Sequence, residues 1–178
     1  MENTTYEGFE SEALATGYRK HKPVAYKHIL MKPAGAISST ITDMAKLLTL
    51  FIKKDSTILS NDMLSRMGFS HSTNVGKFDA GYGITNSARF YKGVKYRGHD
   101  GSLPGWMTEF VYSPKFNAGF VLLQNSDNAR AIREIGFAIS KSLEKYTDTN
   151  AQTPSPIPAT LMKQSGYYQY INPRFQNR

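Results

Sequence analysis

Met107-Thr108-Glu109-Phe110-Val111-Tyr112 and Gly119-Phe120-Val121-Leu122-Leu123-Gln124 are the clearest strand signals in the chain, and Pro114-Lys115-Phe116-Asn117 lies between them. β-branched and aromatic residues on either side of a turn-forming cluster spell a hairpin with a loop of about four to six residues. The second segment runs into Asn125-Ser126-Asp127, residues that favour a helix start. Ile132, Ile135, Ile139 and Leu143 then mark one face of a helix from 127 to 146. A strand hairpin followed by an amphipathic helix predicts an α+β fold, an antiparallel sheet packed by helices.

Working upstream, segments near 82–90 and 92–98 read as two further strands joined by a tight turn. Residues 68–82 hold Gly, Ser, Asn and Asp and read as loop. Met44, Leu47, Leu48 and Phe51 give one apolar helical face, with Thr40 and Asp43 as a capping pair and a stop near Lys53-Lys54-Asp55. A short helix follows Ser60, carrying Met63, Leu64 and Met67. Residues 1–36 are polar and irregular and are expected to be mostly loop. Downstream, residues 147–158 contain Pro154, Pro156 and Pro158 and read as a linker. Residues 159–178 hold Tyr167, Tyr168, Tyr170 and Phe175, too aromatic for a tail and too short for a domain.

Composition narrows the classes. In 178 residues, 40% are apolar and only 20% charged, which excludes wholesale disorder. No apolar run approaches the length of a membrane span. Residues 1–25 lack the basic-then-apolar pattern of a signal peptide. The absence of cysteine excludes a disulfide framework, a thiolate metal site and a cysteine nucleophile. The 22 basic and 14 acidic residues leave a net charge of +8. The densest basic stretch is Tyr18-Arg19-Lys20-His21-Lys22, followed by Lys27 and His28, and it reads as a solvated loop. It carries no helix or aromatic-sheet pattern of a nucleic-acid module, so no nucleic-acid partner is expected. His21, His28 and His71 show no metal spacing, and neither a phosphate-cradling glycine pattern nor a cofactor fingerprint is present.

The stretch that carries chemistry is Arg97-Gly98-His99-Asp100-Gly101-Ser102-Leu103-Pro104-Gly105-Trp106. Glycine admits close backbone approach of a ligand. His99 and Asp100 offer proton transfer or a hydrogen-bonded clamp. On local chemistry alone, a Gly-rich connection with a structural histidine is the plainer reading. Trp106 and Tyr112 suit either a pocket mouth or the core.

Gly98-His99-Asp100-Gly101-Ser102-Leu103-Pro104-Gly105-Trp106 resembles the G-H-x-G-x-x-P-G-[FW] segment of the serine β-lactamase-related family, which includes class C β-lactamases, D-alanyl-D-alanine carboxypeptidases, D-aminopeptidases and esterases. Lys32-Pro33-Ala34-Gly35-Ala36-Ile37-Ser38-Ser39-Thr40 with Asp43-Met44-Ala45, Leu59-Ser60 with Met67, and Gly81-Tyr82-Gly83-Ile84 resemble three more of its segments, in order. Residues 1–146 are thus similar to the C-terminal portion of that catalytic domain. The resemblance implies an acyl-serine hydrolase acting on an amide or ester, with no cofactor and no metal. It implies that His99, Asp100 and Gly101 hold the place of the family's Lys-Thr-Gly strand and bind substrate. It also implies that the Ser102 backbone N–H is an oxyanion donor. His99 in place of lysine points towards the aminopeptidase and esterase branches.

The family's Ser-x-x-Lys and Tyr-x-Asn motifs should precede the Pro-Ala-Gly stretch, and residues 1–31 contain neither. Met1-Glu2-Asn3-Thr4-Thr5 resembles a segment downstream of both, so the chain is expected to begin inside the catalytic domain and to be inactive alone. Ser142-Leu143-Glu144-Lys145 and Tyr170-Ile171-Asn172 match the motifs formally but in the wrong order. Ser142 is expected on the packed side of its helix, as a small packing residue. The segment Ser165-Gly166-Tyr167-Tyr168 resembles the opening of an appended β-rich unit. The expected partner is a small-molecule or peptide substrate, with self-association through unpaired sheet edges. The family leans towards a periplasmic or extracellular location. The competing readings are a non-catalytic peptide- or cell-wall-binding protein of the same fold and, last, a basic binding module.

Overall fold

The structure is a computed structural model describing residues 1–6, 14–30, 32–68, 81–91 and 94–147, with side chains through 144. The chain divides after Thr147 into two units, and the described residues belong to the first. The expected loop at 69–80, the turn at Lys92-Gly93, the linker and the C-terminal aromatic segment lie outside the described residues.

In chain order the elements are β1 (Gly17–Arg19), β2 (Lys22–Val24), a short 3-10 turn (Lys32–Ala34), α1 (Ile41–Lys53), α2 (Asn61–Gly68), β3 (Ser87–Tyr91), β4 (Val94–Leu103), β5 (Trp106–Ser113), β6 (Ala118–Gln124) and α3 (Ala129–Thr147). β3 to β6 form one antiparallel sheet in sequence order, and β1 and β2 form a separate hairpin. The fold is α+β, as the sequence implies.

Helices cover both faces of the sheet. Phe110, Tyr112 and Val121 pack with Leu48 and Phe51 of α1 and Leu64 of α2. On the other face, Tyr91, Tyr96, Val111 and Phe120 pack with Phe137, Ile139 and Leu143 of α3. Alternation along each strand sends neighbours to opposite faces, which is why every residue from Phe110 to Ser113 is buried.

Three sequence expectations are corrected. The basic stretch 18–22 is a hairpin: Lys20 and His21 form its turn with φ of 47° and 64°. Left-handed residues match strand twist, but glycine or asparagine normally supplies them, so the sequence gives no turn signal there. In α3 the buried line runs through Ile132, Gly136 and Ser140, while Ile135 is 48% exposed. Ser142 is exposed and donates to the Ala138 carbonyl (3.1 Å), so it is not a packing residue; Ser140 takes that role and donates to the Tyr96 hydroxyl (2.8 Å). The short helix after Ser60 is present as expected, with Leu64 buried and Met63 51% exposed.

The helix caps follow the sequence with one twist. Thr40 accepts the Asp43 N–H (3.3 Å). The Asp43 carboxylate, though, turns to the chain's start. It accepts from the Asn3 N–H (2.7 Å) and the Thr4 hydroxyl (3.0 Å), and pairs with Lys46 (3.5 Å). Thr5 and Ser38 exchange backbone bonds beside it. Asp43 is 1% exposed. Burial alone would raise its pKa, but these donors outweigh burial and hold it below its ordinary value. A depressed folded-state pKa stabilises the fold above the unfolded carboxyl value of about 4, and that contribution is lost as pH falls through the folded value. Asp43→Asn is expected to lower the melting temperature near neutral pH, with the difference from wild type vanishing in acid. Paired thermal melts across pH check this.

Candidate functional site

β4 runs well past the end of β3. Their ladder goes from Tyr91↔Val94 to Ser87↔Gly98 and stops there, while β5 follows β4 to Leu103↔Trp106. The stretch that read as a glycine-rich connection is therefore strand, paired on one side only from His99 to Leu103.

The free peptide groups can be assigned. The Ser87 hydroxyl donates to the Gly98 carbonyl (3.3 Å), which places that carbonyl on the β3 side. Peptide groups in an antiparallel ladder alternate sides, so Asp100 and Ser102 also aim their N–H and C=O outward. Among the described residues no backbone group pairs with them there. His99, Asp100 and Ser102 are exposed.

The side chains divide by face. Asp100 shares a face with Arg89, with which it forms an ion pair, and stands opposite Glu109 in register. Glu109 accepts a hydrogen bond from Tyr91. The two carboxylates thus take separate partners. Burial, then the bond to Glu109, pushes the Tyr91 phenol far up. His99 lies on the other face, with its ring edge-on to Tyr82 at 5.7 Å. Its Nδ1 lies 2.5 Å from the Asp100 carbonyl oxygen. A carbonyl can only accept, so Nδ1 carries the hydrogen and Nε2 is left to act. Burial and then the Asp100 charge raise the Tyr82 phenol.

Glycine serves two different ends here. A Cβ at Gly98 would fall on the Phe110 carbonyl oxygen, so the strands meet too closely for any side chain. A Cβ at Gly101 would lie 2.5 Å from Thr108 Oγ1, a side-chain atom. Beyond Ser102, Pro104 and Gly105 (φ 92°) turn the chain into β5. The β1–β2 hairpin braces that turn. Gly17 allows the Trp106 ring to lie within 2.7 Å of where its Cβ would be. Trp106 Nε1 donates to the Ala15 carbonyl (2.9 Å), and Tyr26 meets the same ring edge-on at 5.8 Å. Of the two aromatics left open by sequence, Tyr112 is core and Trp106 is at the strand end. The contacts from Arg89, Tyr26 and the β1–β2 hairpin carry no sequence signal, because long-range packing makes them.

A depression of about 620 Å³ lies elsewhere, between the β1–β2 turn and the start of α3. Lys20, His21 and Asp127 line it, and Asp127 is paired with Arg19 (2.6 Å).

No family model and no curated protein matches the sequence. Among solved structures, the octameric penicillin-binding protein homologue from Pyrococcus abyssi has a similar fold, with a TM-score of 0.58 and 22% identity. The match covers 82% of this chain and 36% of that one. The chain has a penicillin-binding-protein-like fold.

Gly98→Ala is expected to destabilise the protein by about 3 kcal/mol or more, because backbone must move. Gly101→Ala should cost about 1 kcal/mol and be relieved by Thr108→Ala. Denaturant melts of the two single variants and the double variant check both.

Proposed function

We propose that this chain is the C-terminal part of a serine hydrolase that cleaves an amide or ester through an acyl-serine intermediate. Its nucleophile lies on polypeptide outside these residues. Residues 1–146 form part of the catalytic domain, followed by a linker at 147–158 and the start of a β-rich unit at 159–178. The observation that carries this reading is the run of β4 past β3. An extended acyl substrate, such as a peptide bearing a D-amino acid, a β-lactam or a small ester, adds to that edge as a strand would. The outward N–H and C=O of Asp100 align it, Gly101 beside them adds no side chain in its way, and the Ser102 N–H points at the oxygen on which charge develops. His99, held by the Asp100 carbonyl, presents Nε2 to the substrate. The fold likeness supports the reading at the level of architecture.

The coding frame upstream of Met1 decides the first point. A Ser-x-x-Lys followed by a Tyr-x-Asn is the expected result. A frame lacking both favours a protein of the same fold that binds peptide or cell-wall fragments without turnover. The chain alone is expected to show no turnover of chromogenic β-lactam, D-alanyl anilide or nitrophenyl ester that survives purification.

In the longer chain, Ser102→Pro removes the N–H and should lower kcat about a hundredfold or more, with little change in KM. Ser102→Ala keeps the N–H and should retain activity. Steady-state kinetics on the pair separate the backbone role from any role of the hydroxyl.

A further inference from the structure

Beyond Gly98, the tie from β3 to the open end of β4 is a side chain. Arg89 stands opposite Tyr96 in the ladder, and Asp100 lies four residues further along β4. Residues 96, 98 and 100 share one face of the pleat, as do 87, 89 and 91 on β3. The Arg89 guanidinium reaches along that face and forms an ion pair with the Asp100 carboxylate. At about 3.4 Å per residue the span is about 13 Å, which calls for a long side chain. Ser87 and Gly98 stand between the two residues, and neither has the bulk to block the path.

The pairing is selective. Two carboxylates, Asp100 and Glu109, stand opposite each other on this face. The Tyr91 hydroxyl donates to Glu109, which leaves the guanidinium to Asp100. Arg89 Nε is buried without a hydrogen-bond partner, so among the described residues the head is fastened at Asp100 alone. The strand that carries Arg89 is firmly held. The Ala88 N–H donates to the Gly81 carbonyl (2.8 Å). Asn86, buried at the foot of β3, donates its N–H to the Met67 carbonyl of α2 (3.1 Å) and its side-chain amide to the Tyr112 hydroxyl of β5 (3.2 Å). At the other end of the ion pair, the Asp100 carbonyl holds His99 Nδ1, and the Ser102 N–H projects from the same edge two residues on. A strand bonded to β5 alone is free to twist about that ladder, and a tether on the Asp100 side chain resists the twist.

We infer that Arg89 is a positioning residue for the proposed hydrolase site. Through Asp100 it fixes the peptide groups of residues 99–102 and the His99 ring against which an acyl substrate is placed. The inference rests on the reading of the β4 edge as the substrate strand. Orientation of the Ser102 N–H matters most in the transition state, where it must meet the developing charge. The contribution to stability is small, because the ion pair is partly exposed, 29% at the arginine and 57% at the aspartate.

The test has two arms. In this chain, Arg89→Gln is expected to lower the amide order parameters of Asp100, Gly101 and Ser102 and to move the nitrogen shifts of the His99 ring. Val111 and Phe120 should be unaltered, with little change in melting temperature. In the longer chain that carries the nucleophile, Arg89→Gln should lower kcat about tenfold, with a smaller change in KM. Asp100→Asn should do the same, and the double variant should be no worse than either single one. Phe90→Ser, on the same strand and 57% exposed in the wild type, should leave both readouts unchanged. An edge that stays ordered without Arg89 overturns the inference. Turnover that Ser102→Pro abolishes and Arg89→Gln does not alter overturns the role of Arg89 and leaves the reading of the edge intact. A longer chain without turnover, or with turnover indifferent to Ser102→Pro, removes that reading and the inference with it. Additive effects of Arg89→Gln and Asp100→Asn, or a fall in kcat that only follows loss of folded protein, also overturn it.

Discussion

The close approach of β4 to β5 at Gly98 holds the open end of β4 in place. A side chain there would strike the Phe110 carbonyl, so the two backbones meet with nothing between them. The ladder extends from that crossing through Asp100↔Glu109 to Leu103↔Trp106. Beyond Gly98, β3 adds no backbone pairing, only the Arg89 ion pair to Asp100. Among the described residues the segment His99–Ser102 therefore has one strand neighbour, and its rigidity comes from β5, that ion pair and the turn at its end. The β1–β2 hairpin braces that turn through Gly17, Trp106 and the Ala15 carbonyl. An oxyanion donor must be preorganised to be effective, and a strand bonded along one edge and pinned at its tip is preorganised while its other edge stays open.

The pleat separates charge from recognition. Asp100 and His99 are adjacent in sequence and lie on opposite faces. Asp100 joins Arg89, and Glu109 joins Tyr91, in a polar layer against α3, where Gly136 leaves room for the Glu109 carboxylate. His99 stays on the face that carries Phe110, next to Tyr82, and its Nδ1 is tied to the Asp100 carbonyl. The Asp100 carboxylate is thus turned away from the imidazole it follows. What it leaves at the open edge is its backbone, while its ion pair to Arg89 ties the strand to β3.

The parts of this arrangement legible in the sequence are those set by local chemistry. The β5–β6 hairpin shows in Phe110-Val111-Tyr112 and Phe120-Val121-Leu122, and α1 in its cap and apolar period. The extent of β4 was not legible in local chemistry. The strand read as ending at Gly98 and Gly101 as part of a connection, only the resemblance put His99–Gly101 on a strand, and pairing with a strand that follows in sequence makes them β. Nor was the phase of α3. An apolar count selects Ile135, but the wall it would meet is occupied by Tyr91, Glu109 and Tyr96, which admit only Gly136 and Ser140. The β1–β2 turn was silent because Lys20 and His21 take left-handed angles without a glycine between them. Resemblance placed His99, Asp100, Gly101 and Ser102 together, and strand parity adds which of them face outward.

Among the described residues the sheet has two edges without a neighbouring strand, at β4 beyond Gly98 and at β6, and their residues differ in chemistry. At β4 the exposed groups are an imidazole, a carboxylate-bearing backbone and a serine, with glycine beside them. Such a surface stays hydrated when empty and exchanges water for the peptide groups of a small ligand at little cost, so occupancy can be transient. At β6 the residues from Ala118 to Leu123 are uncharged and apolar, and Leu123 is exposed. Water satisfies those peptide groups, but the apolar side chains around them gain only when a large surface covers them at once. Cover of that kind must be broad and lasting, whereas the polar β4 edge suits an occupant that leaves. The two edges differ in composition alone, since the backbone geometry at both is the same antiparallel ladder.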